Sequence, residues 1–125
     1  MTDLNFLLMY VTSPERSAAF YADLLDRQPV EASPTFAMFA LESGVMLGLW
    51  AAHTVEPSAS LAGGARGELA FAVADDATVN ARYTDWSARG IDIAQSPTRL
   101  DFGFTFVALD PDGHRLRVFA PGGPD

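Results

Sequence analysis

Apolar runs separated by turn-forming residues predict strands and helices in a fixed order along the first half of the chain. Residues 4–11 are almost continuously apolar, which predicts a strand buried on both faces. Ser13 suits a helix N-cap and precedes a proline, so a helix is predicted over 14–25. Within that helix, Phe20 and Leu24 lie four residues apart and are expected on the buried side.

A hairpin is predicted to follow this helix. Residues 29–32 allow only a short strand, because prolines flank them and proline favours sheet edges. Residues 35–41 and 45–51 predict two paired strands. A three-residue loop with Gly44 in the left-handed conformation sets one register, and a two-residue loop would shift it. The pairs predicted by the longer loop are Phe39 with Leu47, Ala37 with Leu49, Ala40 with Met46, Met38 with Gly48, and Phe36 with Trp50.

The second half begins with a stretch typical of a linker. Residues 53–66 are rich in alanine, serine, glycine and proline. Residues 67–74 predict a strand, and a helix is expected to open near Asp75 and to end at Gly90. A short strand is then predicted over 91–93.

A second hairpin is predicted to close the chain. After a loop over 96–103, the strands 104–109 and 114–119 flank an Asp-Pro-Asp-Gly turn. Alternation in the last strand places Arg117 in mid-strand on a face that it shares with other large side chains. A four-residue turn would set Phe106 opposite Arg117, where the ring could stack on the guanidinium.

The order of elements is strand, helix and three strands, repeated once. At 125 residues the chain has the length of a single domain of the α+β class. Module one is expected over about 1–52, a linker over about 53–66 and module two over about 67–125. The two sheets together could fold around a shared hollow.

Composition narrows the classes of function. A formal net charge of −8 argues against a nucleic-acid partner, because phosphate contacts need basic patches. The chain has no cysteine, which excludes disulfides and thiolate metal sites and fits a cytoplasmic protein. No apolar run approaches membrane-spanning length, so no membrane partner is expected.

Two pieces of sequence carry a resemblance to a known family. The stretch 11–25, with its Glu-Arg-Ser and Phe-Tyr pieces, and the Asp-Pro-Asp-Gly at 110–113 before a final strand resemble the vicinal oxygen chelate superfamily. Its members include glyoxalase I, extradiol dioxygenases, fosfomycin-modifying enzymes and bleomycin-resistance proteins. The resemblance implies two βαβββ modules whose sheets curl into a cup with the helices outside, and a homodimer.

The resemblance also implies where a divalent metal would be held. Matched by motif, the four ligand positions of the superfamily fall on Phe6, Gly48, Glu68 and Arg117. Only Glu68 offers a metal ligand, since the others have a hydrocarbon, absent or cationic side chain. The expectation is therefore a protein with no metal, no cofactor and no catalytic residues of the family type.

A closer resemblance is to the antibiotic-sequestering branch, in particular to phenazine-resistance and thiocoraline-binding-type proteins. The similar pieces are Met9-Tyr10-Val11 with Glu15-Arg16-Ser17, Leu49-Trp50, Asp101-Phe102-Gly103 and Asp110-Pro111-Asp112-Gly113-His114. Such proteins bind flat aromatic drugs without altering them. The ligand-binding residues expected on the inner face are Tyr10, Phe36, Met38, Gly48, Trp50, Glu68, Asp101, Phe104, Phe106 and Arg117.

These residues also have plainer interpretations. Aromatic residues at the two-residue period of a strand usually belong to the core, and a tryptophan at a strand end, such as Trp50, is often only a rim residue. Gly48 is expected to leave a slot beside that indole. Glu68 and Arg117 are favoured as a structural salt bridge, with a ligand anchor as the alternative. The two histidines, at positions 53 and 114, are expected at the surface or in a cap.

Three classes of function remain in competition. The first is non-catalytic binding and sequestration of a small planar aromatic compound. The alternative is a lyase, isomerase or dioxygenase of the same superfamily, which would use a metal held differently or Glu68 without a metal. The third is an interaction module that uses the inner face only as a dimer interface.

Overall fold

A computed structural model of the chain describes residues 5–55 and 68–122. The chain divides into two compact units, Met1–Gly64 and Ala65–Asp125. The elements of the first unit are β1 (Phe6–Val11), α1 (Pro14–Leu25), β2 (Glu31–Ala32), β3 (Phe36–Ala40) and β4 (Met46–Ala51), followed by a 3₁₀ turn at Ala52–Thr54. Those of the second are β5 (Glu68–Ala72), α2 (Asp76–Ala88), β6 (Ile93–Leu100), β7 (Gly103–Leu109) and β8 (Arg115–Pro121).

This order confirms the prediction of two βαβββ modules of the α+β class. Within the described residues, each module carries one helix and one four-stranded sheet. Part of the predicted linker, 56–66, lies outside the described residues, as do Leu4 and Gly67 of the predicted strands. Curling of the two sheets into a cup stays a prediction.

The first sheet has the strand order β1-β4-β3-β2, with β1 parallel to β4. All five predicted pairs of the first hairpin are present. The backbone N–H of Leu41 donates to the carbonyl oxygen of Val45 at 3.0 Å, and Gly44 has a φ of 93°. The three-residue loop therefore sets the register, because glycine takes the left-handed conformation without strain.

Helix α1 begins where the sequence predicts. The Ser13 Oγ accepts a hydrogen bond from the backbone N–H of Arg16 at 3.2 Å, and Pro14 opens the helix. The predicted buried side is wrong, because Phe20 and Leu24 are only half-buried. The buried residues are Pro14, Ser17, Ala18 and Tyr21. These residues therefore form the side of the helix that packs on the sheet.

The prediction that β1 is buried on both faces is also wrong. Phe6, Leu7 and Leu8 are 43%, 41% and 42% exposed, and only Val11 is fully buried within the strand. The physical reason is the position of β1 at the end of its sheet, next to β4 alone in the described chain. An edge strand has no neighbouring strand on its outer side, so side chains on both of its faces are left partly uncovered there.

The second sheet has the strand order β5-β8-β7-β6. Its edge strand β6 is longer than predicted. The strand β6 runs from Ile93 to Leu100 and takes in much of the predicted loop over 96–103. Its pairing with β7 is interrupted between Gln95 and Thr98. An irregular edge strand tolerates Pro97 there, since no continuous ladder bond is required at that point.

The register of the closing hairpin differs from the prediction by one residue. The backbone N–H of Asp110 donates to the carbonyl oxygen of His114 at 3.0 Å, and Gly113 has a φ of 88°. The loop therefore has three residues, as in the first hairpin, and Arg117 pairs with Val107. Phe106 pairs with Val118 instead, so the predicted stacking of Phe106 on Arg117 is wrong.

Phe106 belongs to the core of the second unit. The centroid of its ring lies 5.4 Å from that of the Trp86 ring and 5.5 Å from that of the Tyr83 ring, and both of these residues are on α2. Phe104 shares this helix-facing side because it is two residues away. Among residues 5–55 and 68–122, neither helix has the length and apolar character that crossing a membrane requires.

Candidate functional site

One face of the first sheet carries exposed and half-exposed apolar side chains, and it is called the aromatic face here. Paired residues in neighbouring strands point to the same side of a sheet, so the registers define this face. Its apolar members are Phe6, Leu8, Tyr10, Phe36, Met38, Ala40, Met46, Gly48 and Trp50. On the opposite face, Leu47 and Leu49 of the central strand β4 are buried.

Tyr10, Trp50 and Phe36 form one row across this face. The rings of Tyr10 and Trp50 lie edge to face, with centroids 6.3 Å apart and planes inclined by 79°. Tyr10 is exposed, and Trp50 and Phe36 are only partly buried. A row of aromatic rings that keeps open surface can stack against a planar molecule.

Gly48 lies in the next row, and the predicted slot above it is filled by neighbouring side chains. A Cβ atom at Gly48 would lie 2.8 Å from Leu8 Cδ1, 2.8 Å from Phe6 Cε1 and 3.2 Å from Phe36 Cζ. These contacts are made by the tips of side chains that are exposed or half-exposed. A ligand that reached the backbone of Gly48 would therefore have to displace them.

The second unit contains a polar cluster on three neighbouring strands of its sheet, β5, β8 and β7, called the arginine site here. Arg117 Nε donates to Glu68 Oε2 at 2.7 Å, and Arg117 Nη1 donates to Thr105 Oγ1 at 3.2 Å. The Thr105 hydroxyl in turn donates to the carbonyl oxygen of Val118 at 2.9 Å. Because the threonine proton is committed to that carbonyl, the hydroxyl oxygen is free to accept from Arg117. The guanidinium is thus held on two sides.

Phe102 covers one face of this guanidinium. Its ring centroid lies 5.5 Å from Arg117 Cζ, and it packs edge to face against Phe119 at 5.9 Å. Gly103 makes this possible, since a Cβ there would lie only 2.1 Å from the carbonyl oxygen of Ala120. The close approach of the turn to β8 carries Phe102 over the arginine, although its side chain stays 46% exposed.

The structure brings together part of the predicted site and separates the rest. Tyr10, Phe36, Met38, Gly48 and Trp50 share the aromatic face, and Glu68 contacts Arg117. The remaining three do not join them. Asp101 is exposed in the turn before β7. The ring of Phe104 lies beneath the guanidinium of Arg99, whose Cζ is 5.2 Å from the ring centroid. Phe106 is buried against α2.

Phe102 is the residue that sequence reasoning missed. The sequence presents Phe102 only within the Asp101-Phe102-Gly103 piece, in which Asp101 is the residue expected to contact a ligand. The available signal was Gly103, since a glycine directly after an exposed aromatic residue indicates a close backbone approach.

The four positions that the family resemblance assigns to a metal do not fit a divalent ion. The Phe6 ring lies against Gly48, and neither residue offers a donor atom. Glu68 is paired with the Arg117 cation, whose positive charge would repel a metal ion. In the described part of the chain, no group of three or more His, Asp or Glu residues lies close enough to hold a metal.

His114 has a structural environment in the closing turn. It is buried rather than at the surface, which corrects one of the two predicted alternatives. Its Nδ1–H donates to Asp110 Oδ2 at 2.8 Å, since a carboxylate can only accept. The other carboxylate oxygen accepts from the backbone N–H groups of Asp112 and His114. The pair therefore caps the turn, and the alternative of a cap residue is confirmed for His114.

Comparison with known proteins places this chain among characterised sequences. The sequence model of the Glyoxalase/Bleomycin resistance protein/Dioxygenase superfamily matches residues 3–118. A curated relative, the phenazine antibiotic resistance protein EhpR of Enterobacter agglomerans, is 29% identical over 128 residues. That match covers 94% of this chain and 97% of the relative.

Solved structures show the same fold. The solution structure of protein ATC0852 from Agrobacterium tumefaciens is 51% identical, with a TM-score of 0.87, and the match covers 98% of this chain and 100% of that one. A glyoxalase/bleomycin resistance protein/dioxygenase from Nocardioides is 24% identical, with a TM-score of 0.84, over 100% of this chain and 89% of that one. At this identity, the likeness to the Nocardioides structure shows the fold alone.

Proposed function

The chain belongs to the glyoxalase/bleomycin resistance protein/dioxygenase superfamily, and from this membership we propose that it binds and sequesters a small planar aromatic compound without altering it. The observation that carries the proposal is the aromatic face, where Tyr10, Trp50 and Phe36 keep open ring surface in one row. Soluble proteins keep few large apolar side chains exposed together unless the surface has a partner.

A phenazine-like heterocycle is the ligand class that we favour. The curated relative is named for resistance to a phenazine antibiotic, and it matches this chain over almost its whole length. A fused planar ring system can lie flat against the Trp50 indole, and such stacking contributes roughly 0.5–1.5 kcal/mol beyond the area that it buries. Met38, which flanks the row, has a flexible side chain that adapts to the outline of a ligand.

Two polar groups of the second unit support binding rather than turnover. The Glu68 carboxylate already accepts a hydrogen bond from Arg117, and the His114 ring is committed to Asp110. A general base must instead be free to take a proton from a bound substrate.

Tryptophan fluorescence tests the proposal, since the two indoles differ in environment. Trp50 is partly exposed on the aromatic face, whereas Trp86 is 3% exposed against Phe71 and Phe106. Titration with phenazine is expected to give saturable quenching in the wild-type protein and in Trp86→Phe. Trp50→Phe should lose most of it. Absence of saturable quenching in the wild-type protein would refute the proposal.

The fate of the ligand separates sequestration from catalysis. After long incubation with equimolar protein, phenazine recovered by extraction is expected to have an unchanged mass. The same incubation is repeated after loading with nickel, manganese or iron. Conversion of the compound in either case, or stoichiometric retention of the metal, would favour the lyase, isomerase or dioxygenase alternative.

The proposal includes a homodimer. Strand β1 pairs on one side only within the described chain, and Leu7 at its edge is 41% exposed. Proteins cover such apolar edges, often with another chain. Sedimentation should give twice the mass of the 13.4 kDa chain. Leu7→Glu should shift it to monomer, whereas Val30→Glu, at another exposed apolar residue, should not. A monomeric wild-type protein would contradict this part of the proposal.

A further inference from the structure

The aromatic face of the first sheet also carries a carboxylate, that of Glu31 on the outer strand β2. Glu31 pairs with Met38 of β3, and Met38 pairs with Gly48 of β4. Paired residues point to the same side of a sheet, so the Glu31 side chain lies on the aromatic face. The other residues that the strand pairing places on this face, within the described chain, are uncharged. The charge that the face presents is therefore negative.

The Glu31 carboxylate is available to a ligand. The residue is exposed, and within residues 5–55 and 68–122 its side chain makes no hydrogen bond or ion pair. Glu42, in the hairpin loop of the same unit, is instead paired with Arg27. A carboxylate whose oxygens are open to solvent can accept from a ligand N–H group or lie against a positive charge.

Glu31 lies beside one end of the row formed by Tyr10, Trp50 and Phe36. That row crosses β1, β4 and β3, which are neighbours in the sheet and lie roughly 4.8 Å apart. Phe36 is two residues from Met38, so it is the diagonal neighbour of Glu31 across an antiparallel pair, at about 7–8 Å. A linear system of three fused rings that lies along the row therefore points one end toward the carboxylate.

The remaining charges of the first unit also favour a positive ligand. Residues 5–55 contain five carboxylate side chains and two arginines. Such an excess of negative charge attracts cations and repels anions. The faces of the Trp50 and Tyr10 rings carry the negative end of a quadrupole, so they attract a cation as well. An anionic compound would gain from neither effect.

We propose that the aromatic face selects a planar aromatic cation and that Glu31 recognises its charge. The chemical class is a fused nitrogen heterocycle that is N-alkylated or protonated. Its rings lie on Trp50 and Phe36, and its charged end faces the Glu31 carboxylate. The inference rests on the proposed function, because it names the charge of the compound that is bound. A plainer role for Glu31 is to keep an edge strand from pairing with other chains, and lysine serves that role equally well.

Three probes with the same ring system but different charges test this selection. Calorimetry is carried out in the dark with phenazine, N-methylphenazinium and phenazine-1-carboxylate. The wild-type protein is expected to bind N-methylphenazinium about tenfold more tightly than phenazine, and the carboxylate more weakly than phenazine. An ionic strength of about 1 M should reduce the tenfold preference to about threefold, because salt screens an exposed charge.

Charge reversal assigns the preference to one residue. Glu31→Lys keeps an edge-protecting charge but reverses its sign, so N-methylphenazinium should lose its advantage over phenazine. The affinity for phenazine itself, which is neutral, should stay within about twofold of wild type. Glu42→Lys makes the same change in net charge away from the aromatic row. It should leave the preference for the cation within about twofold of the wild-type value.

The outcomes separate the two proposals. If phenazine binds but N-methylphenazinium binds no more tightly, or if Glu31→Lys and Glu42→Lys change the preference equally, recognition of the charge by Glu31 is overturned and sequestration stands. If none of the three compounds binds, both proposals are overturned.

Discussion

Glu68 Oε2 accepts a hydrogen bond from Arg117 Nε at 2.7 Å, between two strands that lie side by side in the second sheet. The arginine is 16% exposed, whereas the glutamate is 34% exposed. Most of the cost of this pair therefore falls on the arginine, whose charge has lost much of its water. The stability of the arginine site should depend on keeping the carboxylate.

Glu68→Ala is expected to lower the free energy of unfolding by about 1–2 kcal/mol, because it leaves the Arg117 charge without its partner. The loss should be smaller than for a fully buried ion pair, because Glu68 is partly exposed. Urea denaturation measures the change. The matched control is Glu42→Ala, whose ion pair with Arg27 is exposed and should contribute less than about 0.5 kcal/mol. Equal losses in both variants would show that Glu68 is no more than a surface charge.

The same substitution to alanine should cost much more stability at Gly103 than at Gly48. Gly103 has a φ of 151°, and a Cβ there would lie 2.1 Å from the backbone oxygen of Ala120. Gly103→Ala is therefore expected to cost at least about 3 kcal/mol in the free energy of unfolding. At Gly48 the obstructing atoms are movable side-chain tips, so Gly48→Ala should stay within about 1 kcal/mol of wild type. Comparable losses at both positions would contradict this reading of the backbone contact.

Asp110 should be a strong contributor to the closing turn. Its carboxylate accepts from two backbone N–H groups and from the His114 ring, and the side chain is fully buried. Asp110→Ala is expected to lower the free energy of unfolding by about 3 kcal/mol, since buried donors lose their acceptor. Asp101→Ala, at the exposed turn before β7, serves as the control and should change stability by less than about 0.5 kcal/mol. A small effect at Asp110 would show that the turn holds its shape without the cap.

The N-cap of α2 gives a prediction about pH. The Thr78 hydroxyl donates to Asp75 Oδ1 at 2.6 Å, and the Thr78 backbone N–H donates to it at 2.8 Å. These bonds, the hydroxyl first, hold the pKa of Asp75 below its ordinary value of 3.8. A lowered folded-state pKa means that the stabilisation is fully present above the unfolded value and is lost as pH falls through the folded one.

Thr78→Val should raise the pKa of Asp75 only part of the way back toward 3.8, because the backbone donor remains. Carbon-13 NMR titration of the Asp75 carboxyl group measures this shift. Thr84→Val, on the exposed side of the same helix, should leave the pKa where it is. An unchanged value in Thr78→Val would rule out the hydroxyl as the main cause.

Much of the fold could be predicted because local rules decide it. Ser13-Pro14 and Asp75 open the helices where the sequence suggests, and Gly44 sets the first hairpin. The same glycine rule holds at Gly113, but taking all four residues of Asp-Pro-Asp-Gly as the turn predicts a loop one residue longer than the one observed. The consequence was a shift of one residue, which moves every side chain of β7 to the other face.

Tertiary position accounts for the features that the sequence could not predict. The apolar run of β1 is typical of a buried strand, yet its place at a sheet edge leaves Leu7 and Leu8 exposed. The cover that Phe102 gives Arg117 depends on how closely the Gly103 turn approaches β8. Both the exposure of β1 and the cover of Arg117 by Phe102 depend on contacts between residues that are far apart in the sequence.

The most direct test of the central claim follows the two indole N–H signals by nitrogen-15 NMR while phenazine is added. Trp50 lies on the aromatic face and Trp86 in the core of the second unit. The account predicts a saturable shift of the Trp50 signal with little change at Trp86, and a phenazine that is recovered unaltered. A Trp50 signal that does not move at saturating phenazine, or a chemically converted ligand, would contradict it.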